Sequence, residues 1–421
     1  MRFILFLLFV PGLIFSRTYQ VGPGKKFQRI EDAMKKAAKG DTIKVYPLKN
    51  GKAYQKVAVF FRKGGIMIKG MGSKPVKLSG KGFDYSGVGS TPRAMFQFNK
   101  GTDNCIVSNF ELSGATNKSC NAAAFRINQA NNIRISNCVI HDNDMGIMSN
   151  GDGSAKSAQN QIIEFCHIYS NGNKKEAGFN HNLYLGGASV TLRYCEVNNS
   201  LTGHNIKSRA HFNRIEYSYI HDSSNREFDL VDGKDTTVPG SHSVLIGNLI
   251  VKASNCKGNR GTIHFGQDGG KAHNGNLYLI NNTILSPYIT AIVSIDHAQA
   301  GLIAHGNVIH DNFSNQKNMN FLSLTKGAKM ESVSGTYNFF SKGFKKLPKS
   351  LKFTKTGKSL KFKNPKKMDY RLTKRLISSY KLNDIPKGPG MLWDKTIWQY
   401  KHPMIKMERP KQNKLTFGAF E

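Results

Sequence analysis

The sequence predicts an all-β protein, a parallel β-helix (solenoid) whose short strands coil around one axis so that equivalent residues stack from rung to rung. The first observation is a repeat. N-C-I-V-S-N-F-E-L at Asn104, N-N-I-R-I-S-N-C-V-I at Asn131, N-Q-I-I-E-F-C-H-I at Asn160 and A-S-V-T-L-R-Y-C-E-V at Ala188 share one pattern. R-I-E-Y-S-Y-I at Arg214, V-L-I-G-N-L-I at Val244, L-Y-L-I-N-N-T-I at Leu277 and G-L-I-A-H-G-N-V-I at Gly301 continue it. The second is spacing: one column reads Phe110, Cys138, Cys166, Cys195, Ser218, Asn248, Asn282 and Asn307, at intervals of 23 to 34 residues, which suits rungs of three short strands joined by turns of variable length. The third is a shortage of long apolar patterns at helical spacing. With coils about 4.8 Å apart, the small and amide side chains of such a column can form ladders of hydrogen bonds.

Met1 to Ser16 carries a basic start at Arg2, an apolar run from Phe3 to Phe15 and a small residue at Ser16, the pattern of a secretory signal peptide over 1–16. The run is too short to span a bilayer and no later segment is a better candidate, so a soluble exported protein, periplasmic or secreted, is expected. From Arg17 the chain reads T-Y-Q-V-G-P-G-K-K-F, then a helical segment from Gln28 to Lys39 with Ile30, Ala33, Met34 and Ala37 at helix spacing, then a strand in G-D-T-I-K-V-Y-P. A solenoid needs such a cap, because its first rung would otherwise expose core and edge. The expected organisation is an N-terminal cap over 17–60, the β-helix over 61–340 and a basic C-terminal cap over 341–421. Lys342 to Arg375 holds 14 Lys or Arg and one acidic residue, Asp369, read either as solvated cap residues or as extra affinity for a polyanion.

Over the whole chain 61 Lys and Arg face 27 Asp and Glu, a net charge of +34. That balance implies a polyanionic partner: an acidic polysaccharide, nucleic acid or an anionic envelope surface. Of these an acidic polysaccharide is expected and nucleic acid is not, and a monomer is expected. Six cysteines in a chain of this length do not read as a disulfide framework, and Cys138, Cys166 and Cys195 read as an inward stack.

The opening T-Y-Q-V-G-P-G-K-K-F and the helix after it resemble the N-terminal cap of secreted right-handed parallel β-helix proteins, the pectin-lyase-like superfamily. D-Y-R-L-T at Asp369 and F-G-A-F-E at Phe417 resemble the C-terminal signature of secreted bacterial β-helix proteins, including those similar to alginate lyases and chondroitinase B. The resemblance implies a right-handed coil and action on a polysaccharide. It does not choose among pectate lyases, family-six polysaccharide lyases, polygalacturonases, C5-epimerases and phage tailspikes, so activity must be argued from a site.

Three strand-like segments make that site: F-N-H-N-L-Y-L-G-G from Phe179, G-H-N-I-K-S-R-A from Gly203 and R-E-F-D-L-V-D-G from Arg226. Aligned through Cys195 and Ser218, they place His181 over His204, Asn182 over Asn205, Tyr184 over Lys207 and Gly186 over Arg209. With Leu183, Ile206 and Leu230 inward, alternation sends Asn182, Tyr184, Asn205, Lys207, Arg209 and Asp229 outward and gives His181, His204 and Asp232 inward parity. His264, in I-H-F-G, extends the face by a rung.

Elimination across a 4-linked uronate needs its carboxylate neutralised, the C5 proton removed and the leaving oxygen assisted. Lys207, Arg209, Tyr184 and His204 are the candidate catalytic residues. Lys207 and Arg209 lie about 6.6 Å apart along one face, where a like charge would make a neutral lysine more accessible. Gly186 would leave an open floor for a sugar ring. Asn182, Asn205, His181, His264 and Asp229 are the candidate substrate-binding residues, with Asp229 able to orient Lys207. No metal ligand set is assigned and no cofactor is required, although Glu227, Asp229, Asp232 and Asp235 are dense enough for a calcium ion. Family-six lyases, by resemblance, use a Lys and an Arg, with a cation or protein groups neutralising the carboxylate; here both lie on one rung. The bland alternatives are stacked structural histidines, an asparagine ladder and a surface ion pair. The expected function is a secreted polysaccharide lyase acting on an acidic polymer by β-elimination. A C5-epimerase, a glycoside hydrolase, which would need two carboxylates about 5 to 9.5 Å apart, and a non-catalytic polyanion-binding adhesin are the alternatives.

Overall fold

Alternating apolar residues in short strands, each too short to be stable alone, find partners in the rungs above and below. The computed structural model describes residues 16–88, 91–357, 360–373, 398–409 and 417–420; the expected signal peptide, apart from Ser16, lies outside them. Nearly every rung gives one strand to each of three all-parallel sheets, of 13, 11 and 10 strands. Register holds residue by residue: Ile135 pairs with Ile163, Ile163 with Leu192 and Leu192 with Ile215. The inward members of these columns form one continuous buried core.

The predicted column is inside the coil, with Phe110, Cys138, Cys166, Cys195, Ser218, Asn248, Asn282 and Asn307 all buried. Its amides form the expected ladder, Asn248 donating to Asn282 at 3.0 Å, Asn282 to Asn307 at 3.1 Å and Asn307 to Asn338 at 2.9 Å. The residue before each column member turns the corner in the left-handed region: Asn109, Asn137, Phe165, Tyr194, Tyr217, Asn281 and Tyr337 have φ between 47° and 64°. Asparagine tolerates that conformation; where an aromatic residue takes the position, stacking compensates, with Phe165 on Tyr194 at 5.1 Å and Tyr194 on Tyr217 at 5.8 Å between ring centroids.

At the N-terminus the helix spans Ile30–Lys36 and packs Ile30, Ala33 and Met34 inward, ending earlier than its apolar spacing suggested because Ala37 is already extended. Sheet pairing continues through Leu351–Lys352 and Lys355–Gly357. Beyond lie two antiparallel pairs, Phe362–Asn364 with Asp369–Leu372 and Trp398–Lys401 with Ile405–Glu408. The F-G-A segment returns to the coil, where Gly418 N–H bonds Gly306 O at 2.8 Å and Ala419 N–H bonds Thr283 Oγ1 at 2.9 Å. No helix among the described residues is long and apolar enough to cross a membrane.

Candidate functional site

The ten-stranded sheet contains Ala94–Phe98, Ala123–Asn128, Met145–Asn150, Leu183–Leu185, Ile206–Ser208, Phe228–Val231, Ile263–Gly266 and Val293–Asp296. Its pairing stacks one outward column: Gln97, Arg126, Met148, Tyr184, Lys207, Asp229, His264 and Ser294. Tyr184, Lys207, Arg209, Asp229 and His264 therefore share a face, as their alternation required.

Asn182 and Asn205 do not join them. Both are wholly buried in a second ladder, Asn143 to Asn171 at 3.0 Å, Asn171 to Asn182 at 2.9 Å and Asn182 to Asn205 at 2.8 Å. Asn205 then donates to Glu227 Oε2 at 2.6 Å. The strands begin only at Leu183 and Ile206, so the preceding residue occupies the corner, where alternation no longer applies and the side chain turns inward. His181 and His204 are displaced correspondingly. They stack at 5.1 Å, His181 meets the Tyr184 ring edge-on at 5.4 Å, and His204 Nε2 lies 3.4 Å from Asp229 Oδ2, so His204 belongs to the outward cluster despite its inward parity. Burial depresses the pKa of both, His204 to about 4 against the opposing pull of Asp229, leaving them neutral at pH 7.

Asp229 is the hub. It accepts from Arg226 Nη1 at 2.9 Å and His264 Nδ1 at 2.8 Å, and lies 3.1 Å from Lys207 Nζ. Burial alone would raise its pKa; His264 first, with Lys207, holds it well below the ordinary carboxylate value. His264 is clamped between Asp229 and Asp296, the latter at 2.9 Å, and although burial opposes its charge, both carboxylates raise its pKa.

Lys207 departs from expectation. Burial disfavours its charge, but Asp229 and Asp268 more than offset this and Lys207 titrates above the ordinary lysine value; proximity to Arg209 does not make it a neutral amine. Asp268 sits in the turn after Ile263–Gly266 and places Oδ2 2.8 Å from Lys207 Nζ and 2.6 Å from Arg209 Nη2. Arg209 Nε donates to the Tyr184 hydroxyl oxygen at 3.1 Å, and Nη1 to Asp232 O. Sequence reasoning missed Asp268, Arg226 and Asp296. A Q-D-G-G turn directly after the His264 strand was the available signal for Asp268.

The four carboxylates considered for calcium do not converge. Glu227 faces the interior beside Lys252 at 3.6 Å, Asp229 is occupied as above, and Asp232 accepts the Asp268 and Gly269 N–H groups at 2.5 and 2.7 Å. Asp235 accepts from Gly153 and Ala155 N–H at 3.1 and 3.0 Å. Among the described residues no three His, Cys, Asp or Glu side chains form a metal-binding group.

Beside Tyr184 and Arg209 opens a cleft of about 420 Å³, lined by Arg126, Asn128, Gly186 and Lys234 among others. Gly186 is part of its lining, and a Cβ there would meet Ser149 O at 3.0 Å.

No protein-family model and no curated protein sequence matches the chain. Solved structures do match. XylC, determined in complex with xylose, aligns over 82% of this chain and 87% of its own at 11% identity, TM-score 0.52. Pectate lyase Pel9A aligns over 83% and 78% at 13% identity, TM-score 0.43. The PL6 family alginate lyase AlyGC aligns over 82% and 54% at 12% identity, TM-score 0.39. The chain is a right-handed parallel β-helix; at such identities the likeness is one of fold.

Proposed function

We propose that the protein is an exported polysaccharide lyase cleaving a uronate-containing polymer by β-elimination. The observation that carries this reading is the contact of Arg209 Nε with the Tyr184 oxygen, 3.1 Å, beside an open cleft and one rung from a lysine kept protonated. Tyr184, as phenolate, takes the C5 proton. Arg209 stabilises the negative phenolic oxygen, the C–H electron pair becomes the C4=C5 double bond, the C4–O bond breaks, and Lys207 protonates the departing oxygen. Asp229 and Asp268 orient that lysine. Lys207 and Arg209 already share one carboxylate oxygen, Asp268 Oδ2, the kind of contact that would neutralise a uronate carboxylate.

Hydrolysis fits less well. It needs a protonated acid, yet Asp229 and Asp268 are both shifted downward, against burial, by their cationic partners, and Asp232 is buried and committed to a turn.

The test is incubation with a panel of acidic polysaccharides, following the absorbance of an unsaturated uronate. Wild-type protein should generate it, and Tyr184→Phe should lose roughly 10²- to 10⁴-fold in kcat with an unchanged fold. Cleavage without an unsaturated product refutes the assignment. Solvent hydrogen entering C5 without cleavage would identify an epimerase.

A further inference from the structure

We propose that Arg126 is a carboxylate-binding subsite for a second uronate unit of the polymer, on the N-terminal side of the reacting unit. The inference rests on the reading of this face as a polyuronate site. Register places Arg126 under Met148 and Met148 under Tyr184, so Arg126 lies two rungs, about 10 Å, from Tyr184. Arg126 and Arg209 both line the cleft.

Arg126 differs from the cations of the later rungs on this face in what it touches. Lys207, Arg209, Arg226 and Lys326 each have a carboxylate within 4 Å. Among the described residues Arg126 forms no ion pair. Its Nε donates to Asn128 Oδ1 at 3.2 Å and its Nη1 contacts Met148 Sδ at 3.4 Å, one neutral amide and one weak acceptor for a group with five N–H donors. The amide is itself held, since Asn99 Oδ1 accepts from Asn128 Nδ2 at 3.0 Å and from Gln97 Nε2 at 3.2 Å. Partial burial, and then the nearby Arg93, disfavour the Arg126 charge and lower its pKa. A cation withdrawn from water, repelled by another and aimed by a chain of amides leaves a place for an anion, and a planar guanidinium matches a carboxylate through two parallel hydrogen bonds. A polymer carboxylate two rungs from the reacting centre supplies that anion.

The experiment measures calorimetric affinity for oligomers of polygalacturonate and alginate and for their carboxyl-reduced neutral forms. Proteins compared are wild type, Arg126→Met, Arg126→Lys and, on the 13-stranded sheet, Lys69→Ala. Arg126→Met should lose about tenfold or more for acidic oligomers, the worth of a charge-assisted hydrogen bond, with little change for reduced ones. Arg126→Lys should recover part, and Lys69→Ala should match wild type. On a cleaved polymer KM should rise with kcat held within about twofold. Melting of Arg126→Met should be unchanged or higher, because an unpaired cation is gone; Arg126→Gln, which can still donate to Asn128, replaces it should the methionine variant misfold. A folded Arg126→Met that binds acidic oligomers as wild type does overturns the subsite even if unsaturated product forms. Lost affinity in that variant, with no unsaturated product from any protein, keeps the subsite and removes the lyase reading.

Discussion

Lys207 is held by two carboxylates, Asp229 at 3.1 Å and Asp268 at 2.8 Å, and replacing each with asparagine separates distance from burial. By distance, Asp268→Asn should cost more. The environments say the reverse: the Asp229 side chain is 2% exposed and that of Asp268 40%. Asp229→Asn leaves Lys207, Arg226 and His264 around a neutral amide in a low-dielectric site, and breaking a buried pair in this way costs about 3 to 5 kcal/mol. Asp268→Asn removes a solvent-screened partner, and an exposed pair is worth about 1 kcal/mol or less. Urea unfolding at pH 7 followed by circular dichroism measures both, with the slope checked for constancy so that midpoints report stability. Asp229→Asn should also let the His264 pKa fall, since only Asp296 would remain to hold its proton, which NMR titration of the ring can follow. Equal losses in the two variants, or a larger loss in Asp268→Asn, would refute the argument that burial sets the magnitude.

Asn205→Ala should destabilise by several kcal/mol, because inside the coil it takes the acceptor from one Asn182 N–H and from Ser200 N–H and the donor from Glu227 Oε2, each unsatisfied group costing about 1 to 3 kcal/mol; affinity for polyuronates per folded molecule should not change. His221 lies 2.7 Å from Asp222 and 3.3 Å from Glu196, which also contacts His402. Burial opposes the His221 charge, but these carboxylates raise its pKa to about 9. A raised histidine stabilises fully below about pH 6.5, and the contribution, roughly 3 kcal/mol, disappears as pH rises through 9; melting temperature should fall over that window in wild type and much less in His221→Gln. Retention on an acidic polysaccharide column should drop steeply with added salt, since exposed charges are screened beyond about 8 to 10 Å at physiological ionic strength, and equal retention on neutral glycans would remove the polyanion reading.

The repeat, the inward Cys138–Cys166–Cys195 column and the shared outward face of Tyr184, Lys207 and Arg209 were all legible in the sequence, because a strand's two-residue period and a rung's recurrence are local, repeated signals. The resemblance at the chain ends added the hand of the coil. What one-dimensional reasoning could not decide lay where that period breaks and where distant turns return. Asn182 and Asn205 turn inward because the corner, not the strand, sets their direction, and only the three-dimensional path fixes where the corner falls. Lys207 keeps its proton because Asp229 and Asp268 both face it, and Asp268, 61 residues further on, arrives from a turn two rungs away. Arg126 stands without a counterion for the complementary reason: pairing stacks it below Tyr184, while no described loop brings it a carboxylate. Sequence sets which residues share a face; tertiary structure decides their burial and partners, and those determine which of them hold a charge and which are left to bind one.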